Sequence, residues 1–155
     1  MSVQIRTPKP EDFPELYALD QACFAPGIAY SKAELQYFLR YPGNISVVAE
    51  DAGVIVGFAI AGIQRRRGIP IGRLITIDVR EQGRRRGVGQ SLMRAIEARL
   101  RKAGVEAVIL EVAVDNVGAQ QFYARHGFGQ TGRIPGYYLG RIDALVMEKQ
   151  LPPGD

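Results

Sequence analysis

The stretch Gly83-Arg84-Arg85-Arg86-Gly87-Val88-Gly89 constrains this chain most, because it sits between a β-rich run and a helical one. Upstream, Arg73 to Val79 carries the β-branched residues of a strand; downstream, Val88, Leu92, Met93, Ile96 and Leu100 recur on one face of a helix. A strand, a glycine-rich turn and a helix together make an anion cradle. The N–H groups of the first helical turn lack intrahelical acceptors, and the helix dipole favours negative charge there. Glycines at 87 and 89 let a ligand approach the backbone, and Arg84, Arg85 and Arg86 add charge suited to phosphate. Two familiar nucleotide loops fail here. A P-loop requires Gly-Lys-Ser/Thr, whereas Val88 follows Gly87; a dinucleotide fingerprint requires a third glycine where Leu92 stands, and this strand comes too late in the chain to open a nucleotide-binding unit.

The remaining sequence supplies one domain over residues 1–155. At that length a chain buries a core without staples, and 46% apolar with 23% charged residues is ordinary for a globular protein. No apolar run approaches the roughly 20 residues of a membrane span, and no signal-peptide layout opens the chain, so a cytoplasmic protein without membrane association is expected. One cysteine and one histidine exclude a Cys/His metal cluster, so no metal is expected. Net charge is +4, concentrated in Arg65-Arg66-Arg67 and Arg84-Arg85-Arg86. Such runs suit phosphates or nucleic acid, or are solvated loops.

Val3 and Ile5 open a strand; Pro10 and Asp12 start a helix with the stripe Phe13, Leu16, Leu19, Cys23, which makes Cys23 core filling rather than a nucleophile. Ser31 and Glu34 form a capping box before Leu35, Phe38 and Leu39. Ile45 to Glu50 and Val54 to Ile63 flank the hairpin turn Asp51-Ala52-Gly53; an arginine and glycine loop then leads to the strand at 73–79. The long helix stops at Lys102-Ala103-Gly104, a buried strand runs from Ala107 to Val114, and a short helix from Asn116 ends at His126-Gly127. A Gly- and Tyr-rich segment precedes a last strand, Ala144 to Lys149. This order predicts a three-layer α/β or α+β domain around a mixed sheet.

The pattern Arg84-x-x-Gly87-x-Gly89 after Ile77-Asp78-Val79 resembles the acetyl-CoA loop of the GCN5-related N-acetyltransferase (GNAT) family. The likeness continues through Ile5-Arg6, Cys23-Phe24, Leu110-Glu111-Val112, Asn116, Ala119, Tyr123, Gly127-Phe128, Tyr137-Tyr138 and Asp143 to Met147, in the manner of RimI-type ribosomal-protein N-terminal alanine acetyltransferases. It implies a mostly antiparallel sheet of about seven strands flanked by about four helices. It also implies acetyl-CoA as co-substrate: Ile77, Asp78 and Val79 would serve the pantetheine arm through their backbone, and Arg84, Arg85, Arg86, Gly87, Val88 and Gly89 the pyrophosphate. Asn116 and Tyr123 would contact the same molecule.

Glu111 shares a strand face with Ile109 and Ala113, where a carboxylate either lines a cleft or is an ion-paired structural group. The resemblance implies a general base acting through water. Asn116 is either a helix N-cap or a coenzyme ligand. Tyr123, two turns on, is either a core tyrosine or, by the resemblance, the acid that protonates the departing thiolate. His126 reads as a helix-end cap partner. An α-amine, with a pKa of about 7.7 to 8.0, is roughly a tenth neutral at pH 7, and a lysine near 10.4 hardly at all, so one modest base suits an α-amine.

Two segments depart from the family pattern: Phe24 to Tyr30 has no tryptophan, and Leu139-Gly140-Arg141-Ile142 is not acidic. Both would border the acceptor. Three functions stay open: acetylation of a protein N-terminus such as that of a ribosomal protein, acetylation of a small amine or lysine, and an RNA- or ribosome-associated module that has lost catalysis. Intact Glu111, Asn116 and Tyr123 oppose the last, and no direct nucleic-acid role is favoured.

Overall fold

The computed structural model describes residues 2–84 and 86–152. Seven strands form one sheet in the order β1-β2-β3-β4-β5-β7-β6. They are β1 Gln4–Arg6, β2 Ile45–Asp51, β3 Val54–Arg66, β4 Ile69–Val79, β5 Ala107–Ala113, β6 Gly129–Tyr138 and β7 Ile142–Gln150. Every neighbouring pair is antiparallel except β4 with β5, so the sheet is mixed and mostly antiparallel, as expected. Four α-helices flank it: α1 Phe13–Cys23, α2 Lys32–Arg40, α3 Val88–Lys102 and α4 Val117–Arg125. None is long and apolar enough to cross a membrane.

Each sheet face carries its own core. Leu92, Met93, Ile96 and Leu100 of α3 and Tyr123 of α4 pack with Val47, Leu74 and Leu110 on one side. Leu16, Leu19 and Leu35 of α1 and α2 pack with Val48, Phe58 and Ile60 on the other. The capping box before α2 is formed: the Ser31 hydroxyl accepts the Glu34 N–H at 3.1 Å, and Glu34 Oε1 accepts the Ser31 N–H at 2.9 Å. Pro10 and Asp12 open a 3₁₀ turn rather than α1 itself, which begins at Phe13.

Two segments differ from expectation. Arg65-Arg66-Arg67-Gly68 is no loop, because β3 runs through Arg66 and β4 starts at Ile69. The turn is only Arg67-Gly68, both at positive φ (54° and 80°), as a tight hairpin requires. Arg66 grips Glu148 of β7 at 2.9 and 3.0 Å, so this residue is ion-paired. The segment before the last strand is itself a strand, β6, on the sheet edge. An edge tolerates Pro135 because one side of the strand has no ladder to supply.

Candidate active site

β4 and β5 pair only at Gly72↔Val108 and Arg73↔Ile109. Beyond that seam the two strands are unpaired, along Leu74 to Val79 of β4 and Leu110 to Ala113 of β5. α3 starts just past the end of β4. Its first intrahelical bond, Ser91 N–H to Gly87 O at 3.0 Å, leaves the amides of Val88, Gly89 and Gln90 without helical acceptors. Gly87 caps the helix at φ 82°, and a side chain at Gly89 would meet the Phe122 ring at 2.9 Å, so glycine lets α3 and α4 converge here. Free amides at a helix start favour an anion.

The arginines contribute unequally. Arg84 folds back, its Nε donating to Val79 O at 3.2 Å and its Nη2 lying 3.8 Å from Cys23 Sγ. The amides of Arg84 and Arg86 close turns onto Glu81 and Gly83 carbonyls at 3.2 and 3.3 Å. Arg85 lies outside the described residues. The other run, at 65–67, sits at the opposite end of β4, roughly 30 Å away along the strand, so the two runs do not serve one phosphate group. Ile77 and Val79 side chains pack into the α3-side core, while the Asp78 side chain is buried.

Glu111 stands two residues past the seam with its side chain 12% exposed. It is ion-paired: Arg73 Nε donates to Oε1 at 3.0 Å, Arg73 Nη2 makes a closer contact to the same oxygen, and the Tyr137 hydroxyl donates to it at 3.1 Å. All three donors converge on Oε1; Oε2 takes no hydrogen bond among the described residues. The carboxylate is thus ion-paired and largely buried, with one oxygen fixed and the other without a hydrogen bond among the described residues. Tyr137 reaches it from an irregularity in β6, where pairing jumps from Ile134↔Ala144 to Tyr138↔Ile142. Asp143 pins that bulge, accepting the Gly136 N–H at 2.9 Å and Arg133 Nε at 2.7 Å; these bonds hold its carboxyl below the usual range. Burial pushes the neighbouring Tyr138 phenol up to about 12.

Tyr123 is 9% exposed on α4, its ring T-stacked on Phe122 and Phe128 at 5.6 and 5.8 Å. Burial first, then the Asp78 carboxyl, raise its phenol well above the ordinary value, so it stays a proton donor. Asn116 caps α4, its Oδ1 accepting the Ala119 N–H at 3.2 Å. His126 ends that helix, Nδ1 against Phe122 O at 2.8 Å. Cys23 is half-buried against the α1-side core, and burial raises its thiol, as suits a packing residue.

The sequence reading did not single out Arg73, Asp20 or the side chain of Asp78. A polar residue on each otherwise apolar stripe was the available signal. Arg73 stands among β-branched residues, and Asp20 lies between Leu19 and Cys23.

Residues 13–128 match the model of the Acetyltransferase (GNAT) family. N-alpha-acetyltransferase 30 of Schizosaccharomyces pombe is 31% identical over 117 residues, covering 75% of this chain and 78% of that protein. The crystal structure of Ard1 from Thermoplasma volcanium superposes with a TM-score of 0.86 at 30% identity, covering 98% of this chain and 99% of that one. The ribosomal-protein-S18-alanine N-acetyltransferase of Escherichia coli shares the fold, with a TM-score of 0.83 at 24% identity over 99% and 97% of the two chains. By the family match over most of its length and by these relatives, the chain belongs to the GNAT family and is an acetyl-CoA-dependent N-acetyltransferase.

Proposed function

We propose that this enzyme acetylates the N-terminal α-amine of a protein, a ribosomal protein being one candidate, in the cytoplasm. One observation carries the reading: Glu111 has one carboxylate oxygen with no hydrogen bond among the described residues while Arg73 and Tyr137 hold the other. A lone oriented base of this kind suits an amine already about a tenth neutral at pH 7. The similarity to N-alpha-acetyltransferases also supports it.

In this mechanism the amides of Val88, Gly89 and Gln90 hold the pyrophosphate, and the unpaired ends of β4 and β5 take the pantetheine arm. Glu111 Oε2 accepts, through water, one proton of the α-ammonium and releases it to solvent. The freed nitrogen forms a bond to the thioester carbon, the tetrahedral intermediate loses a second nitrogen proton through water to Glu111 Oε2, and it collapses as the C–S bond breaks. Tyr123 gives its proton to the leaving sulfur, and solvent returns the proton held by Glu111 to the phenolate. The net change is one acetyl group moved to nitrogen, one proton to sulfur and one proton released to solvent. Asn116 acts by capping α4, which orients Tyr123.

A thiol-release assay tests the acceptor, using peptides with free N-termini, the same peptides N-blocked but carrying lysine, and small amines. The expected order places free N-termini far ahead. Comparable rates on the blocked lysine peptides, or activity confined to small amines, overturn the α-amine assignment.

A further inference from the structure

Asp20 and Asp78 are the most deeply buried charged residues among the described ones, 0% and 1% exposed. One comes from the buried face of α1, the other from the donor-side end of β4, and their carboxyl groups meet between these elements. Asp20 Oδ2 accepts the Tyr30 N–H at 2.8 Å, and Asp78 Oδ1 accepts the Thr76 hydroxyl. The two remaining oxygens, Asp20 Oδ1 and Asp78 Oδ2, have no donor among the described residues.

No cation among the described residues is hydrogen-bonded to this pair. Arg84, the guanidinium next to this region, donates instead to Val79 O and Cys23 Sγ. The other titratable groups around the pair are Cys23 on α1, Tyr30 before α2 and Tyr123 on α4, with Tyr138 of β6 behind them. Each is neutral when protonated and negative when not, so none compensates. Two buried carboxylates in contact cannot both stay ionised.

We infer that Asp20 Oδ1 and Asp78 Oδ2 share one proton, and that this carboxylic acid–carboxylate bond is the strut fastening the acceptor-side segment 24–31 to the donor strand β4. The proton gives both orphaned oxygens a partner. Asp20 then hands the constraint on through the Tyr30 amide; the Tyr30 hydroxyl returns to Ile75 O at 3.2 Å, and Gln21 holds Tyr30 O at 2.7 Å. Asp20 and Asp78 are positioning residues for the acceptor wall. Burial, then the neighbouring Asp20, push the Asp78 carboxyl well above the ordinary range, in agreement.

The sign follows from linkage. A raised carboxyl binds its proton in the closed form where the opened form has lost it. The stabilisation is therefore complete below about pH 3.9 and declines as pH rises, until the closed pair itself ionises. Across that window, opening releases one proton and becomes about tenfold easier per pH unit.

Asp78→Asn tests this, because the amide donates to Asp20 and accepts from Thr76 without titrating. The readout is hydrogen exchange of the Tyr30 amide in the free protein, divided by its intrinsic rate. Opening should grow with pH in the wild type and stay level in Asp78→Asn. The infrared carbonyl band of an un-ionised acid should be present at neutral pH only in the wild type. Acceptor KM at saturating acetyl-CoA should climb with pH in the wild type relative to the variant, while kcat of the two moves in parallel. Parallel exchange profiles, or no acid band, refute the shared proton; parallel KM profiles refute the positioning role. If Asp78→Asn does not fold, Asp20→Asn carries the same expectations. Exchange and infrared readouts involve no acceptor, so their failure is separate from failure of the α-amine assignment.

Discussion

Tyr123→Phe separates chemistry from packing. The Tyr123 hydroxyl makes no hydrogen bond among the described residues, and the ring contacts to Phe122 and Phe128, at 5.6 and 5.8 Å, survive in phenylalanine. The backbone bond from Phe128 N–H to Tyr123 O, 3.0 Å, is also untouched. Stability should therefore change by less than about 1 kcal/mol, whereas alanine would open a cavity costing about 3 to 5 kcal/mol. Loss of a general acid slows the chemical step by about 10² to 10⁴, equivalent to about 2.7 to 5.4 kcal/mol. Burial and the Asp78 carboxyl keep the phenol protonated well above its usual range, so Tyr123 itself adds no alkaline fall in rate near neutral pH. Single-turnover acetyl transfer, coenzyme calorimetry and thermal unfolding of the variant supply the three quantities. A stable protein that binds acetyl-CoA normally and transfers within about threefold of the wild-type rate would refute the acid role.

Gly87→Glu should abolish coenzyme binding in calorimetry, because it puts negative charge on the helix start; no atom of the described residues lies within 4 Å of the added Cβ, and the φ of 82° costs only about 1 to 2 kcal/mol. Glu111→Gln should keep acetyl-CoA affinity and lower the rate most at low pH, since the amine deprotonates unaided as pH rises; a deficit constant from about pH 6 to 9 rules out the base. Lys149→Met should cost about 3 to 5 kcal/mol in denaturant melts, because Lys149 Nζ holds both oxygens of buried Glu97 at 3.0 and 2.9 Å, and Arg101 at 3.7 Å is a poor substitute.

The glycine loop, both cores and the helix caps were legible because each rests on local chemistry: periodic apolar residues, a Ser31/Glu34 box, glycines where φ must be positive. β6 was not legible. Its residues Gly129 to Tyr138 lie at a mostly exposed edge, so no apolar alternation marks it, and pairing with β7 decides its conformation. Arg65 and Arg66 are extended for the same reason; hairpin register prevails over a composition that suggests a loop. Glu111 was found as a polar residue on an apolar strand. Its partners, Arg73 and Tyr137, come from residues 38 and 26 positions away, and only the sheet order and the β6 bulge bring them together.

The short β4–β5 seam divides the sheet into a four-stranded leaf and a three-stranded leaf, joined like covers at a narrow spine. Across the spine run two ion-pair clasps: Arg66 of the first leaf to Glu148 of the second, and Glu97 of α3 to Lys149. Both attach to β7, and Glu148 stands opposite Ile109, the residue at which the leaves part. In the proposed function the angle between the leaves would set the width of the acetyl-CoA slot, so its aperture would be governed from the back. The Arg66 clasp is solvent-exposed and screened by salt, while the Glu97 clasp is largely buried and screened much less. Ionic strength therefore acts on the leaf angle mainly through the exposed fastening, and a charge change at residue 148 would reach the proposed slot from its back.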